Sequence, residues 1–167
     1  MLKTRNTVDL DISFFFRNQE ELDKFLDELA IKGIRTAQNP KISHLVFVIF
    51  DSNISDEAEI WLRPCDAFFW DEEMALNIRS FLDTKYFVLA PEDYICTKLA
   101  RADRSYIDLQ DVLGVIVSEG HKLDWDYLIY RVNKYKLKKD LGNIIKLVIK
   151  ENLDIVPQKL INFFKFV

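Results

Sequence analysis

Polar and apolar positions alternate near the start of the chain, with Val8, Leu10 and Ile12 on one side and Asp9, Asp11 and Ser13 on the other, ahead of Phe14-Phe15-Phe16. This two-residue period predicts a strand over residues 7–16. The period then lengthens. Leu22, Phe25, Leu26 and Leu29 fall on one helical stripe, Asn18 with Glu21 three residues on has the form of a capping box, and Gly33 is a natural stop. Two further strand-like runs, His44 to Asp51 and Ala58 to Arg63, are joined by the polar residues Ser52 to Asp56, a pattern that predicts an antiparallel hairpin. A short helix over about 71–82 and a brief strand over Tyr86-Phe87-Val88-Leu89 follow.

From Pro91 the pattern is helical throughout. Helices are expected over about 91–102, 106–118, 124–136, 139–151 and 157–166, punctuated by Gly120, Gly142 and Pro157. Pro91 suits a first helical position, and Glu92 and Asp93 suit the positive end of the helix dipole. The expected class is α+β. A small mixed β-sheet with helices packed on it forms an α/β core over residues 1–90. A helical region, residues 91–167, packs on that core in a single compact unit.

Composition narrows the picture. A chain of 167 residues, 49% hydrophobic and 30% charged, is long enough to bury a core and too apolar to be disordered. Its net charge of −4 works against a polyanion-binding surface spread over the whole protein. A phosphate-bearing ligand would have to be held by a local group of Lys and Arg, or through metal ions. Cys65 and Cys96 stand far apart beside only two histidines, which disfavours a zinc site or disulfide framework and points to a reducing cytoplasm. The apolar run Leu45 to Phe50 is too short to cross a membrane, and residues 1–6 lead into no signal-peptide core. The stretch Leu160 to Val167 is apolar nearly all round and demands burial, against the domain or in a partner. The basic run Lys134 to Lys139 fits a solvated helix end or a contact to RNA phosphates. His44 reads as a strand-end residue, and Trp61, Trp70 and Trp125 as packing residues.

Two groups of residues could carry chemistry. Residues two apart in a strand point to one face, so Asp9 and Asp11 present paired carboxylates that want a cation or water between them. Glu59, an acid within the apolar run Ala58 to Leu62, could complete an oxygen-ligand site for a hard cation such as Mg²⁺; Asp51 and Asp66 are further candidates. A strand with one wet face would show such acids for no functional reason. In the second group Lys98 and Arg101 share a helix face, as do Asp108 and Asp111 on the next helix. They read either as a salt-bridge network or as a phosphate-reaching pair oriented by acids.

The run from Leu89 to Val112 resembles the "L-s-P-E-D-l-i-x-x-K-L-x-A-x-R-x-x-D-x-x-D" stretch of the AbiEii-like and related minimal nucleotidyltransferases. The matching residues are Pro91, Glu92, Asp93, Lys98, Leu99, Arg101, Asp108 and Asp111. Arg5-Asn6-Thr7-Val8-Asp9-Leu10-Asp11-Ile12 is similar to their "R-x-T-x-D-I-D-l" strand, and Glu59-Ile60 to their later acid. The likeness covers about residues 4–118. It implies a polymerase-β-like site in which Asp9, Asp11 and Glu59 are metal ligands and catalytic residues, with Mg²⁺ as cofactor. Lys98 and Arg101 would contact the nucleotide. A nucleoside monophosphate would pass from a nucleoside triphosphate to an acceptor hydroxyl on RNA, protein or a small molecule, in a toxin–antitoxin or defence setting.

The family also carries a Gly-Gly or Gly-Ser turn ahead of its acid strand. Here eight residues precede Asp9 and none is glycine; the four glycines are at 33, 114, 120 and 142. Three expectations follow: a longer natural N-terminus, a turn contributed by a partner chain, or a degenerate relative that acts as a binding module. An edge left open by a missing helix would favour a homodimer.

Overall fold

The computed structural model describes residues 11–51, 57–80, 87–151 and 155–164, with Asp11, Arg79, Ser80 and Phe87 described by backbone alone. The chain divides into two compact units, Met1–Phe69 and Trp70–Val167. The division falls well before Pro91, so the residues from 70 to 90 group with the helices and not with a core over residues 1–90. The class is α+β, as the patterning predicts.

Among the described residues the first unit is a four-stranded mixed sheet with one helix on it. Its strands are β1 (Asp11–Ser13), β2 (Ile34–Thr36), β3 (Val46–Asp51) and β4 (Glu57–Trp61), in the order β1-β4-β3-β2. β1 and β4 are parallel, whereas β4 with β3 and β3 with β2 are antiparallel. The hairpin expected from the two apolar runs is therefore present, although its turn, 52–56, lies outside the described residues. So do residues 7–10 of the expected first strand. β2 is an addition: three residues are too few for alternation to declare itself.

Helix α1 (Gln19–Ile31) starts where the chain offers a cap. The Asn18 side chain accepts from the Glu21 backbone N–H at 3.0 Å, satisfying one of the helix's unpaired donors. Glu21 reaches one residue further back than a capping box requires and accepts from the Arg17 N–H at 2.8 Å. The helix ends before Gly33, whose φ of 81° lies in the left-handed region that glycine enters without strain. Leu22 on α1 packs with Phe47 and Ile60 from the sheet, ringed by Ile12, Phe14, Phe16, Phe25, Leu26, Ile49 and Leu62. One sheet face is thereby buried under α1, and the residues between, including Glu57 and Glu59, lie on the other.

The second unit holds α2 (Glu72–Asn77), a two-stranded ribbon of β5 (Arg79–Ser80) and β6 (Phe87–Val88), and helices α3 (Pro91–Ala100), α4 (Tyr106–Glu119), α5 (Trp125–Lys134), α6 (Lys138–Lys150) and α7 (Gln158–Phe164). The helix expected over 71–82 stops at Asn77, because the chain turns extended at Ile78 to enter the ribbon. α3 packs against α4 and α5, and α6 against α4, α5 and α7. The apolar tail is described as far as Phe164, and that part packs within the chain: α7 lies on α6 with Leu160 and Phe164 buried, and Phe163 stacks under Lys138. Among the described residues no helix is long and apolar enough to cross a membrane.

Candidate functional site

The acid face of the sheet is built by strand pairing. The parallel register sets position 11 of β1 beside Glu59 of β4, and position 13 beside Trp61. Register partners on neighbouring parallel strands sit about 4.8 Å apart and share a face. Ile12 and Ile60, one residue further along, belong to the opposite, α1-covered face. Glu59 is exposed, and so is Glu57, two residues before it on the same face. Glu57 is an acid the sequence reading passed over; its two-residue spacing from Glu59 was the available signal. Ser13, also on this face, has a buried hydroxyl with no hydrogen-bond partner among the described residues. The donors gathered here are oxygens, the type a hard divalent cation takes.

The other acid candidates go elsewhere. Asp51 pairs with Ile34 at the far end of β3, and strand alternation puts it on the face of Phe47 and Ile49. Asp66 is exposed in the turn between Cys65 and Phe68. Asp9 lies outside the described residues, as does the side chain of Asp11. Among the described residues no three His, Cys, Asp or Glu side chains converge as a metal-binding group.

The second candidate group lies between α3 and α4. Lys98 Nζ is 3.2 Å from Asp108 Oδ1 and 3.1 Å from Asp111 Oδ2, with the Tyr94 ring 5.5 Å away. Arg101 makes a two-pronged contact with Asp103 at 3.1 Å for each prong and lies 3.8 Å from Asp108. Asp108 has a further task. Its carboxylate accepts from the Ser105 backbone N–H at 2.8 Å while the Ser105 hydroxyl accepts from the Asp108 N–H, closing a capping box at the start of α4. Burial opposes ionisation of Asp108, but Ser105 and Lys98 outweigh it and hold the carboxyl below its usual range. Burial likewise opposes the Lys98 charge, and Tyr94, Asp111 and Asp108 overcome it and push the ammonium up. Two cations face three carboxylates here, so the group carries no surplus positive charge. Its evident work is to bind α3 to α4. Asp108→Ala is expected to lower stability by about 2–4 kcal/mol, because it removes a helix cap and leaves a half-buried lysine short of one partner. Chemical denaturation measures this, and Asp103→Ala, at an exposed carboxylate, should cost well under half as much.

A third cluster escaped the sequence reading. Arg131 of α5 is fully buried, with Nη1 2.6 Å from Asp71 Oδ2 and Nε 2.7 Å from Asp93 Oδ1. Asp93 is itself fully buried and accepts from the Tyr127 hydroxyl at 2.8 Å. Asp71 caps α2 through the Met74 N–H at 2.9 Å and also accepts from Lys134 at 2.9 Å and the Tyr135 hydroxyl at 3.1 Å. Glu73 accepts from Tyr130 and Lys134 at 2.8 and 3.0 Å. Burial pushes the Asp93 carboxyl up, against the pull of Tyr127 and Arg131. For Asp71 burial pushes the same way, but Arg131, the Met74 N–H and Lys134 prevail and hold it well below the carboxylate range. Glu92, next to Asp93, accepts the Asp124 N–H at 2.6 Å where α5 begins. The Glu92-Asp93 pair thus ties α3 to α5, beyond any interaction with the dipole of α3. The signal for Arg131 was its place in the apolar stripe of Trp125, Leu128 and Val132, where an arginine must bring its own counter-charges.

No family model matches the chain, no curated protein is similar to it at a significant level, and no solved structure matches its fold.

Proposed function

We propose that this is a nucleotidyltransferase-like protein whose acid sheet face, centred on Asp11 and Glu59, binds a divalent cation together with a nucleoside triphosphate. The observation that supports it most is the parallel pairing of β1 with β4 in the register Asp11 to Glu59. Residues far apart in sequence, both chosen as metal ligands from sequence, become lateral neighbours. Asp9, two residues before Asp11, is the third ligand in this proposal, and Mg²⁺ is the cation the oxygen donors suit. The cation would supply charge neutralisation for the triphosphate. Asp9, Asp11 and Glu59 would hold it, and Glu59 would accept the proton of an acceptor hydroxyl. The acceptor oxygen bonds to the α-phosphorus as the bond to the β-phosphate oxygen breaks and pyrophosphate leaves. Lys98 and Arg101 belong to the second unit and are paired with carboxylates there, so the proposal rests on Asp9, Asp11 and Glu59. The alternative reading is a catalytically degenerate binding module.

Calorimetric titration with each of the four ribonucleoside triphosphates, with and without Mg²⁺, tests the proposal. Metal-dependent binding to at least one is expected, weakened more than tenfold by Asp11→Asn and by Glu59→Gln but not by Glu28→Gln on the exposed side of α1. Binding without release of pyrophosphate would favour the binding module. Absence of metal-dependent binding to all four would overturn the assignment.

A further inference from the structure

Resting on the reading of Asp11 and Glu59 as a metal and triphosphate site, we infer that the same sheet face seats the base of the nucleotide, with Trp61 as its stacking platform.

Strand alternation sorts the sheet into two unlike faces. Ile12, Phe47, Ile49 and Ile60 belong to the face under α1. The residues between them make the other face: Ser13 on β1, Val46, Val48 and Phe50 on β3, and Glu57, Glu59 and Trp61 on β4. Cross-strand pairing sets Val46 beside Trp61, Val48 beside Glu59 and Phe50 beside Glu57. A sheet face left to water ordinarily carries polar side chains. Here β3, a central strand, brings only Val and Phe to it, and Val46, Val48, Phe50 and Trp61 are half-buried. The ladder runs one residue past β1, where the Phe14 N–H donates to the Trp61 carbonyl at 2.8 Å. Phe15, next after Ser13 in the same parity, is 63% exposed.

The face is therefore acidic along one part and apolar along the other, and a metal-bound nucleotide is divided in the same way. Its phosphates and cation answer the carboxylates. Its base is flat, apolar on both faces and polar at the edge. Trp61 lies two residues beyond Glu59, about 7 Å along β4, a separation that one sugar spans between phosphate and base. The indole offers a broad π face, on which any base can stack. Ser13 is the register partner of Trp61, and its hydroxyl is buried with no hydrogen-bond partner among the described residues. A buried hydroxyl left unpaired is costly, and a base edge or sugar hydroxyl over Trp61 supplies the partner. An apolar peptide or a lipid chain would cover Val46 and Val48 but leave Glu57 and Glu59 unanswered.

The test is calorimetry of the full chain in Mg²⁺ with ATP, GTP, CTP, UTP and inorganic tripolyphosphate, which has the charge and no base. The nucleotides are expected to bind more tightly than tripolyphosphate by about fivefold or more, with purines ahead of pyrimidines, the gain that stacking of one base supplies. Tryptophan emission should be quenched by ATP and not by tripolyphosphate. Trp61→Phe should abolish that quenching while keeping most of the affinity, which assigns the signal to Trp61 and not to Trp70 or Trp125. Trp61→Leu should close the gap between nucleotides and tripolyphosphate. Tripolyphosphate that binds as tightly as the nucleotides, or a Trp61→Leu variant that keeps the natural gap, overturns the base platform and leaves the acid site standing. Absence of Mg²⁺-dependent binding to all five ligands overturns the acid site, and the platform with it.

Discussion

Replacing Arg131 with methionine is expected to destabilise the second unit by about 3–5 kcal/mol, the cost of removing one partner from a buried ion pair. The substitution keeps most of the side-chain volume, so the loss comes from charge and not from a cavity. Asp93 is left fully buried with only the Tyr127 hydroxyl as a described partner, and Asp71 loses its closest cation. The effect should depend on pH in a defined direction. Asp71 has a depressed carboxyl in the natural chain, so its contribution is present above the unfolded pKa and fades as pH falls towards the folded value. Asp93 has a raised carboxyl, which rises further without Arg131, so the variant regains stability as pH falls and Asp93 takes up its proton. The Asp93 trend narrows the gap between the two proteins on going from pH 7 to pH 4, and the Asp71 trend narrows it further below about pH 4. Urea denaturation at a series of pH values measures it. A loss under 1 kcal/mol at pH 7, or a gap that widens in acid, would show that Arg131 does not hold this network together.

That network also marks the limit of what the sequence disclosed. Helices α1 and α3 to α7 were legible because their signals are local: the Asn18 cap, Pro91 at a first turn, Gly33 at an end, and apolar stripes of helical period. Sheet class was legible from the alternation ahead of Ser13 and the paired runs around residues 46–51 and 57–61. β2 and β5 were not, since strands of two or three residues hold too little alternation to stand out, whereas β6 falls within the run Tyr86 to Leu89 expected as a brief strand. The acid face was half legible. Asp11 and Glu59 could each be picked out as odd residues in a strand, but only register makes them neighbours. The motif over Pro91 to Asp111 was fully legible, yet its meaning changed. Glu92, Asp93, Lys98, Asp108 and Asp111 all have partners within the helical unit. Their spacing is explained by helices that must be held to one another, whatever else they do.

Leu22→Ala is expected to cost the first unit about 2–5 kcal/mol and to weaken the acid face with it. Leu22 is fully buried at the centre of the cluster with Phe47 and Ile60, and the half-buried Phe14, Phe16 and Phe25 pack around it with ring centroids 4.9–5.8 Å apart. This unit is small, and among the described residues α1 alone covers its sheet, so few other contacts can take up the lost packing. The consequence reaches the other face through alternation. Ile12 and Ile60 pack inward beside Leu22, and each is the next residue after Asp11 or Glu59. A loosened inner layer therefore loosens the pairing on which the lateral placement of the two acids depends. Hydrogen exchange of the amides in β1 and β4 should accelerate in the variant, and the metal-dependent nucleotide binding proposed for the acid face should weaken although no proposed ligand residue has changed. Leu22→Met supplies the control: it restores volume in an adaptable side chain, should cost less than about 1.5 kcal/mol, and should recover both the exchange protection and the binding. If alanine neither accelerated exchange in β1 and β4 nor weakened binding by comparison with methionine, the α1 layer would not be what keeps Asp11 beside Glu59.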